Sequence, residues 1–452
     1  MPRRDFLQAG ALALGGITLA DVLRGRELQA TQQNKTANDT SVILLYLHGG
    51  PSQLETYDLK TSAPSTYRSI YEPIPTKVPG MDVCELLPLH AKIADKFSLV
   101  RSLHHDVSIH SDGGIIVLTG KRPTVLDPTS GSKSEHPDFG SVASRVRGLS
   151  AKGIPPYVAI PGKLYMTRPT YLGAHHAAFE LGDPSTPDGS SFAPPRMYLS
   201  SGRDVRAFDD RRSLLQKMDT LRADLDLSES LSATGNYRDR AFQMLTSSEA
   251  ADAYDLSKEK ATLRDRYGRH LWGQGCLLAR RLAEAGSAVI SLYIDAPKND
   301  LDHTNWDDHI GNAGRPGHFG DYMRRRLLYL DQALSALIED IFERGLDRRI
   351  MVVVVGEFGR TPRLSSNNQG VGRDHWPNAY TALVSGGGLK MGQVVGATNS
   401  KAEFPTERPY TPQDLLATVY RHLGINTEAT FNDHSGRPIP ILPFGEPIRE
   451  LV

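Results

Sequence analysis

The stretch "RIMVVVVGEF", residues 349–358, limits the fold more than any other part of the chain. Four consecutive valines are stiff at χ1 and favour an extended backbone, and a run that is apolar at every position leaves no face for solvent. Such a strand is buried on both sides, as a central strand of a parallel sheet is. Directly before it, "DYMRRRLLYLDQALSALIEDIFERG" places Met323, Leu327, Leu330, Leu334, Leu337 and Ile341 at steps of three and four and stops at Gly345. That spacing predicts a helix feeding the strand. "RHLWGQGCLLARRLAEAGS" stands in the same relation to "AVISLYI", and "TPQDLLATVYRHLGI" opens with Thr411 and Pro412 at cap and first-turn positions. "SVILLYL" and "FSLVRSL" are two further short apolar runs. Alternation of this kind builds an α/β fold, a three-layer α/β/α sandwich on a mostly parallel central sheet.

The expected organisation is a single domain over residues 41–452, with a loop-rich excursion at about 162–235 around "LGDPSTPDGSSFAPP". Ahead of it, "PRRDFLQAGALALGGITLADVL" sets Arg3 and Arg4 before Phe6, Leu7 and a weakly apolar stretch, the layout of a twin-arginine export signal over residues 1–30. Residues 31–40 form a polar linker, and the expected location is the periplasm or cell envelope. The apolar stretch is too short and glycine-rich to span a bilayer stably, so membrane contact is expected only through this segment if it is uncleaved. Lys+Arg and Asp+Glu are equal at 52 each, so no net field recruits nucleic acid or an anionic membrane. Two cysteines, Cys84 and Cys276, form neither a CxxC metal site nor a disulfide framework.

In a sheet of this class ligands bind beyond the carboxyl ends of the strands. The residues just past each strand are therefore the functional candidates: His48 in "HGGPS", then "HHDVSIHSDGG", then Asp295 and "DLDHTNWDDHIGN", then "GEFGRTP" and "GRDHWPN". "HGGP" after a strand also suits the oxyanion loop of a serine hydrolase. That fold needs a G-x-S-x-G elbow, which the chain lacks; Ser52 and Ser385 each miss one of the glycines. Imidazoles and carboxylates gathered at one edge suit a divalent metal better, zinc first, with manganese, iron or calcium as other candidates. Asp307 and His309 lie two apart on a loop, Glu357 ends the central strand, and Asp374 with His375 comes a short loop later. Each also has a structural reading: Glu357 as a partner of Arg360, Asp374 as a turn cap, the histidines as surface hydrogen-bonding groups. Trp306 and Trp376 are expected to wall the pocket, His104 or His105 to contribute to its rim or pack the strand end, and Arg324 to Arg326 to form a solvated helix face.

"LYLHGGPSQLETYDLK", "NWDDHIGN", "GEFGRTP" and "GRDHWP", with "TG" closing the helix after "SIHSDGG", resemble the bacterial exported domain-of-unknown-function family 1501, itself similar to the alkaline phosphatase and sulfatase superfamily. The resemblance spans roughly residues 41 to 445. It implies an alkaline-phosphatase-like sandwich and hydrolysis of phosphate or sulfate esters, with a small-molecule or glycan ester as substrate. Residue by residue, Asp307, His309 and His375 resemble metal ligands. His48 stands where the superfamily has an aspartate, and Glu357-Phe358 where it has an Asp-His pair, so the resemblance implies one complete metal site more readily than two. The attacking group falls near the start of the helix at "SIHSDGG", on His110 or its hydroxyl-bearing neighbour Ser111, and metal-bound hydroxide is a third route. Ser111 is equally suited to a helix N-cap. Two other function classes stand beside the metal-dependent hydrolase: a catalytically silent binding or cell-envelope protein on the same fold, and the serine hydrolase.

Overall fold

The computed structural model describes residues 39–150, 153–185, 247–295, 305–310 and 317–452. The export-signal segment, nearly all of the linker and most of the 162–235 excursion lie outside the described residues. An eight-stranded sheet forms the centre, from β1 (Ser41–Leu47), β2 (Phe97–Leu103), β3 (Tyr157–Ile160), β4 (Phe179–Glu180), β5 (Val289–Ile294), β6 (Ile350–Val355), β7 (Tyr380–Gly386) and β8 (Val394–Val395). The spatial order is β8-β2-β7-β6-β1-β5-β3-β4. β1 pairs in parallel with β5 and β6, while β7 alone runs antiparallel, against β6 and β2. All four strands expected from the apolar runs are present, and the valine run sits next to β1 near the middle.

Each face of the sheet is covered by helices, and β1 shows why. Its alternate residues Ile43, Leu45 and Leu47 pack in one core with α3 (Leu271–Ala285) and α4 (Phe319–Glu343). Val42, Leu44 and Tyr46 pack in the other with α1 (His110–Thr119), α2 (Phe139–Arg147) and α5 (Pro412–Leu423). A strand buried on both faces needs apolar residues of both parities, which "SVILLYL" and "IMVVVV" supply. Burying each such side chain stabilises by about 1.5–3 kcal/mol. α5 carries the expected cap, with Thr411 and Asp414 in a capping box. Three layers result, as expected. Among the described residues no helix is long and apolar enough to cross a membrane.

Candidate metal centre

The carboxyl ends of β1, β2, β5 and β6 open at one edge, and the loops leaving them meet there. β1 runs into His48, Gly49 and Gly50. Gly49 has a φ of +110°, and a Cβ on it would lie 2.4 Å from the Asp307 nitrogen and 2.7 Å from the Trp306 backbone, so a glycine is required. Its amide donates to Glu357 Oε1 at 2.8 Å, and the His48 carbonyl accepts from the Trp306 amide at 2.8 Å. The Gly-Gly loop is thus a strut that binds the β5 and β6 loops together. Neither serine considered for a hydrolase elbow bonds a histidine: Ser52 donates to Glu55, and Ser385 to the Lys96 carbonyl.

Four side chains converge beyond that strut: His110, Asp307, His309 and His375, with one ligand atom each within 4.8 Å of all the others. His309 Nε2 and His375 Nε2 face one another at 2.9 Å, and Asp307 Oδ1 is 2.9 Å from the first and 3.1 Å from the second. His110 Nε2 lies 3.2 Å from Asp307 Oδ2. The other nitrogen of every imidazole is committed. His309 Nδ1 donates to Asp374 Oδ1 at 2.8 Å, His375 Nδ1 to the Ser108 carbonyl at 2.6 Å, and His110 Nδ1 to Glu357 Oε1 at 2.6 Å. An acceptor on Nδ1 fixes the tautomer with Nε2 unprotonated and turned inward, the arrangement of metal-ligating histidines. Two bare Nε2 atoms at hydrogen-bond distance repel unless a cation or a proton lies between them. The donor set of two imidazoles and a carboxylate, with a third imidazole opposite, fits a four-coordinate divalent ion.

Without an ion, protons on the imidazoles balance the carboxylates of the site. Burial works against the charge on Asp307, yet its hydrogen bonds to His110, His309 and His375, with Arg360 beside it, hold the carboxyl far below the usual range. Burial also opposes a charged His110, and the carboxylates of Asp307 and Glu357 outweigh it, lifting the imidazole to about 9. His309 is raised in the same way by Asp307 and Asp374, whereas for His375 burial wins and the value falls. Glu357 is fully buried, and His110 and His48 keep it ionised despite that burial.

The other expected site residues fall around this group. Glu357 stands behind His110, with Oε2 unpartnered among the described residues, and it pairs with His110 instead of Arg360. Arg360, fully buried, joins Asp307 Oδ1 at 2.6 Å and the Gly50 carbonyl at 2.9 Å. His48 is outside the four: its Nδ1 is 3.5 Å from Asn305 Nδ2 and 3.9 Å from Asp295, and its buried Nε2 has no partner among the described residues. Ser111 is fully buried and its hydroxyl donates to Asp112 at 2.9 Å. It is not the N-cap of α1, which Ile109 occupies. Phe358 lays its ring against His110 and His375, at centroid distances of 5.1 and 4.5 Å. His105 donates from Nε2 to the Glu357 carbonyl at 2.6 Å, which places it at the rim of the site.

Two expectations are corrected. Trp306 does not wall a pocket: it is fully buried, stacks on Trp272, and donates its Nε1 hydrogen to the Ile294 carbonyl. Arg326 is no part of a solvated face: it is fully buried and paired with the fully buried Asp308. Sequence reading missed that pair and a second one, Glu55 with Arg373 at 2.9 Å. The signal available was the second acid of "WDDH", which has no role as a ligand and needs a cation from elsewhere.

The family model for a protein of unknown function, DUF1501, matches residues 39–452. The chain belongs to this family. No curated protein matches the sequence. Among solved structures this DUF1501 member is similar to the PsFucS1 sulfatase from Pseudoalteromonas sp., at 14% identity and a TM-score of 0.38 over 89% of this chain and 74% of that one. It is similar to the alkaline phosphatase of the Antarctic bacterium TAB5, at 11% and 0.33 over 85% and 98%, and to the zinc-complexed C-terminal periplasmic domain of EcEptC from Escherichia coli, at 11% and 0.35 over 90% and 94%. These likenesses are distant in both sequence and shape.

Proposed function

We propose that this DUF1501 chain is a metal-dependent hydrolase of phosphate or sulfate esters, exported by the twin-arginine route that Arg3 and Arg4 suggest, with a small-molecule or glycan ester as substrate. One observation carries the reading: Nε2 of His309, Nε2 of His375 and Oδ1 of Asp307 lie within 3.1 Å of one another while both Nδ1 atoms are tied to acceptors. Asp307, His309 and His375 would hold the ion, zinc by preference, leaving a fourth position on the side of His110. An ion there supplies charge for a phosphoryl or sulfuryl oxygen.

His110 then has the geometry of an attacking group. With Asp307 Oδ1 turned to the ion, its Oδ2 stays 3.2 Å from His110 Nε2 and takes the proton from it, while Glu357 keeps Nδ1 protonated and the ring aimed. The Nε2 lone pair forms a bond to phosphorus or sulfur as the ester oxygen leaves with its electron pair and takes a proton from solvent water; a second water then attacks phosphorus or sulfur, the pair of the broken bond returns to Nε2, and the water's proton passes to solvent as the anion leaves. Ser111 has its hydroxyl on Asp112 and no such line of approach. Phe358 excludes water from one side of the imidazole.

The first test is elemental analysis of protein purified without chelator or affinity nickel. About one equivalent of zinc, manganese, iron or calcium that is lost in His309→Ala and His375→Ala supports the reading. A metal-free, stably folded protein would move the assignment to a silent binding protein. With metal present, a screen of phosphate and sulfate esters should show turnover abolished in His110→Ala, and acid-labile phosphate on a histidine would separate His110 attack from attack by water.

A further inference from the structure

A second site lies apart from the metal centre and shares none of its residues. A cavity of about 320 Å³ opens between β2, the loop 58–62 and the turn around Ser400, lined among others by Asp58, Lys60, Ser62, Asp82, Arg101 and Ser400. Arg101 projects from β2, half-buried, in a strand otherwise apolar at most positions. Its Nη2 donates to the Asp82 carbonyl at 3.1 Å, and its Nε hydrogen is buried without a partner among the described residues. No carboxylate of the described residues comes within ion-pair distance of it. The charges around it do not supply the missing partner. Asp58 is 3.0 Å from Lys60 Nζ and accepts from the Thr398 hydroxyl at 2.5 Å, so its charge is already taken by Lys60. The Asp82 side chain is exposed and screened by solvent. Burial pushes the Arg101 guanidinium below its ordinary range, Asp58 and Asp82 only partly opposing it.

A guanidinium keeps its proton, so a half-buried one with no carboxylate at ion-pair distance gains free energy when an anion meets it. Ser62 and Ser400, both exposed, line the same cavity, and a serine hydroxyl can donate to the remaining oxygens of such an anion. We propose that this cavity binds a small oxyanion, a phosphate, sulfate or carboxylate group, through Arg101, either free or carried on an acidic sugar. The site acts independently of the metal centre and stands whether or not the centre is catalytic.

Calorimetric titration of the full chain with inorganic phosphate, sulfate and galacturonate tests it, on the wild type, Arg101→Met and His375→Ala. Arg101→Met keeps the aliphatic stem and removes the charge; it should weaken binding about tenfold or more, the effect of losing a charge-assisted hydrogen bond. His375→Ala should leave this binding within about twofold, since no lining residue is shared. Tighter binding of galacturonate than of the free anions assigns the site to acidic sugars, and the reverse order assigns it to the free anion. If Arg101→Met does not fold, Ser400→Trp fills the cavity from an exposed position and should abolish the same binding. Anion binding that is equal in wild type, Arg101→Met and Ser400→Trp, or that disappears in His375→Ala, overturns the proposal.

Discussion

Asp307 and Asp308 are neighbours in the chain and opposites in their surroundings. Asp308 is fully buried, and the fully buried Arg326 reaches it from α4 while also donating to the Asn305 carbonyl at 2.6 Å. Asp308 also contributes its carbonyl to the Arg373 amide at 2.9 Å. Its charge is closed inside the protein. Asp307, with 23% of its side chain exposed, is met by three imidazoles and Arg360. Two of those imidazoles turn bare nitrogens on each other. The difference separates structural charge from functional charge: a buried ion pair completed by its own chain holds a loop, whereas an excess of converging donors waits for something from outside.

The largest effect should come from the closed pair. Arg326→Met strands the Asp308 carboxylate in the core, and removing one member of a buried pair costs about 3–5 kcal/mol. Urea denaturation should show that loss. Because Asp308 anchors the 305–310 loop, the same variant should bind metal weakly even where it still folds. A loss below about 1 kcal/mol would mean that the two aspartates do not differ as described.

A smaller effect is set by pH. Burial outweighs the neighbouring Glu357 and Asp106 and lowers His105 to about 4, so the folded protein holds it neutral while the unfolded chain titrates it near 6.5. Between those values the unfolded state binds more protons, so the stability from neutral His105 is complete above about 6.5 and lost as the pH falls toward 4. The amount is on the order of 3 kcal/mol. In metal-free protein, His110 acts in another window: its raised value makes its contribution complete below about 6.5 and lost as the pH rises through about 9. His105→Gln, which still offers a donor to the Glu357 carbonyl, should flatten the acid limb. A profile unchanged by that substitution would show that His105 does not set the acid limb.

The legible part of the sequence is the local part. The apolar runs and the three- and four-residue steps name strands and helices because burial on one or both faces is written in adjacent residues. The edge where ligands gather could be read from strand order alone, and it brought Asp307, His309 and His375 to one place together with His110. Partner choice was not legible. Glu357 lies three residues from Arg360 and pairs with His110, 247 residues away. Arg326 looked like one of three exposed arginines because the helix period leaves its face ambiguous in "MRRRLL", and only the position of Asp308 decides it. The Arg101 cavity is equally invisible in sequence, since a lone arginine in the apolar run "FSLVRSL" does not tell which loops close around it.

Between these extremes lies the outer support of the open site. Asp374 is exposed and holds His309 Nδ1 at 2.8 Å. Asp374→Asn keeps the shape and weakens the acceptor, and loss of such an outer partner typically lowers metal affinity about 10- to 100-fold. Competition with a chromogenic chelator would measure it. Unchanged affinity would show that His309 is not oriented through Asp374.

The smallest effect should be the stability of metal-free His309→Ala. The imidazole is 33% exposed, its Nδ1 bonds an exposed carboxylate, and its Nε2 crowds that of His375. Removing it leaves Asp307 with Arg360, His110 and His375, so no buried charge is stranded. The expected change is within about 1 kcal/mol, far below that for Arg326→Met. Added zinc should widen the gap between the wild type and His309→Ala. Binding to the folded state alone stabilises by RT ln(1 + [L]/Kd), about 2.7 kcal/mol at a hundredfold excess over Kd, and the variant with two ligands left should gain little of it. A loss of several kcal/mol in the metal-free variant would place His309 with Asp308 among the groups that hold the loop, and the distinction between the two aspartates would then rest on His110 and His375 alone.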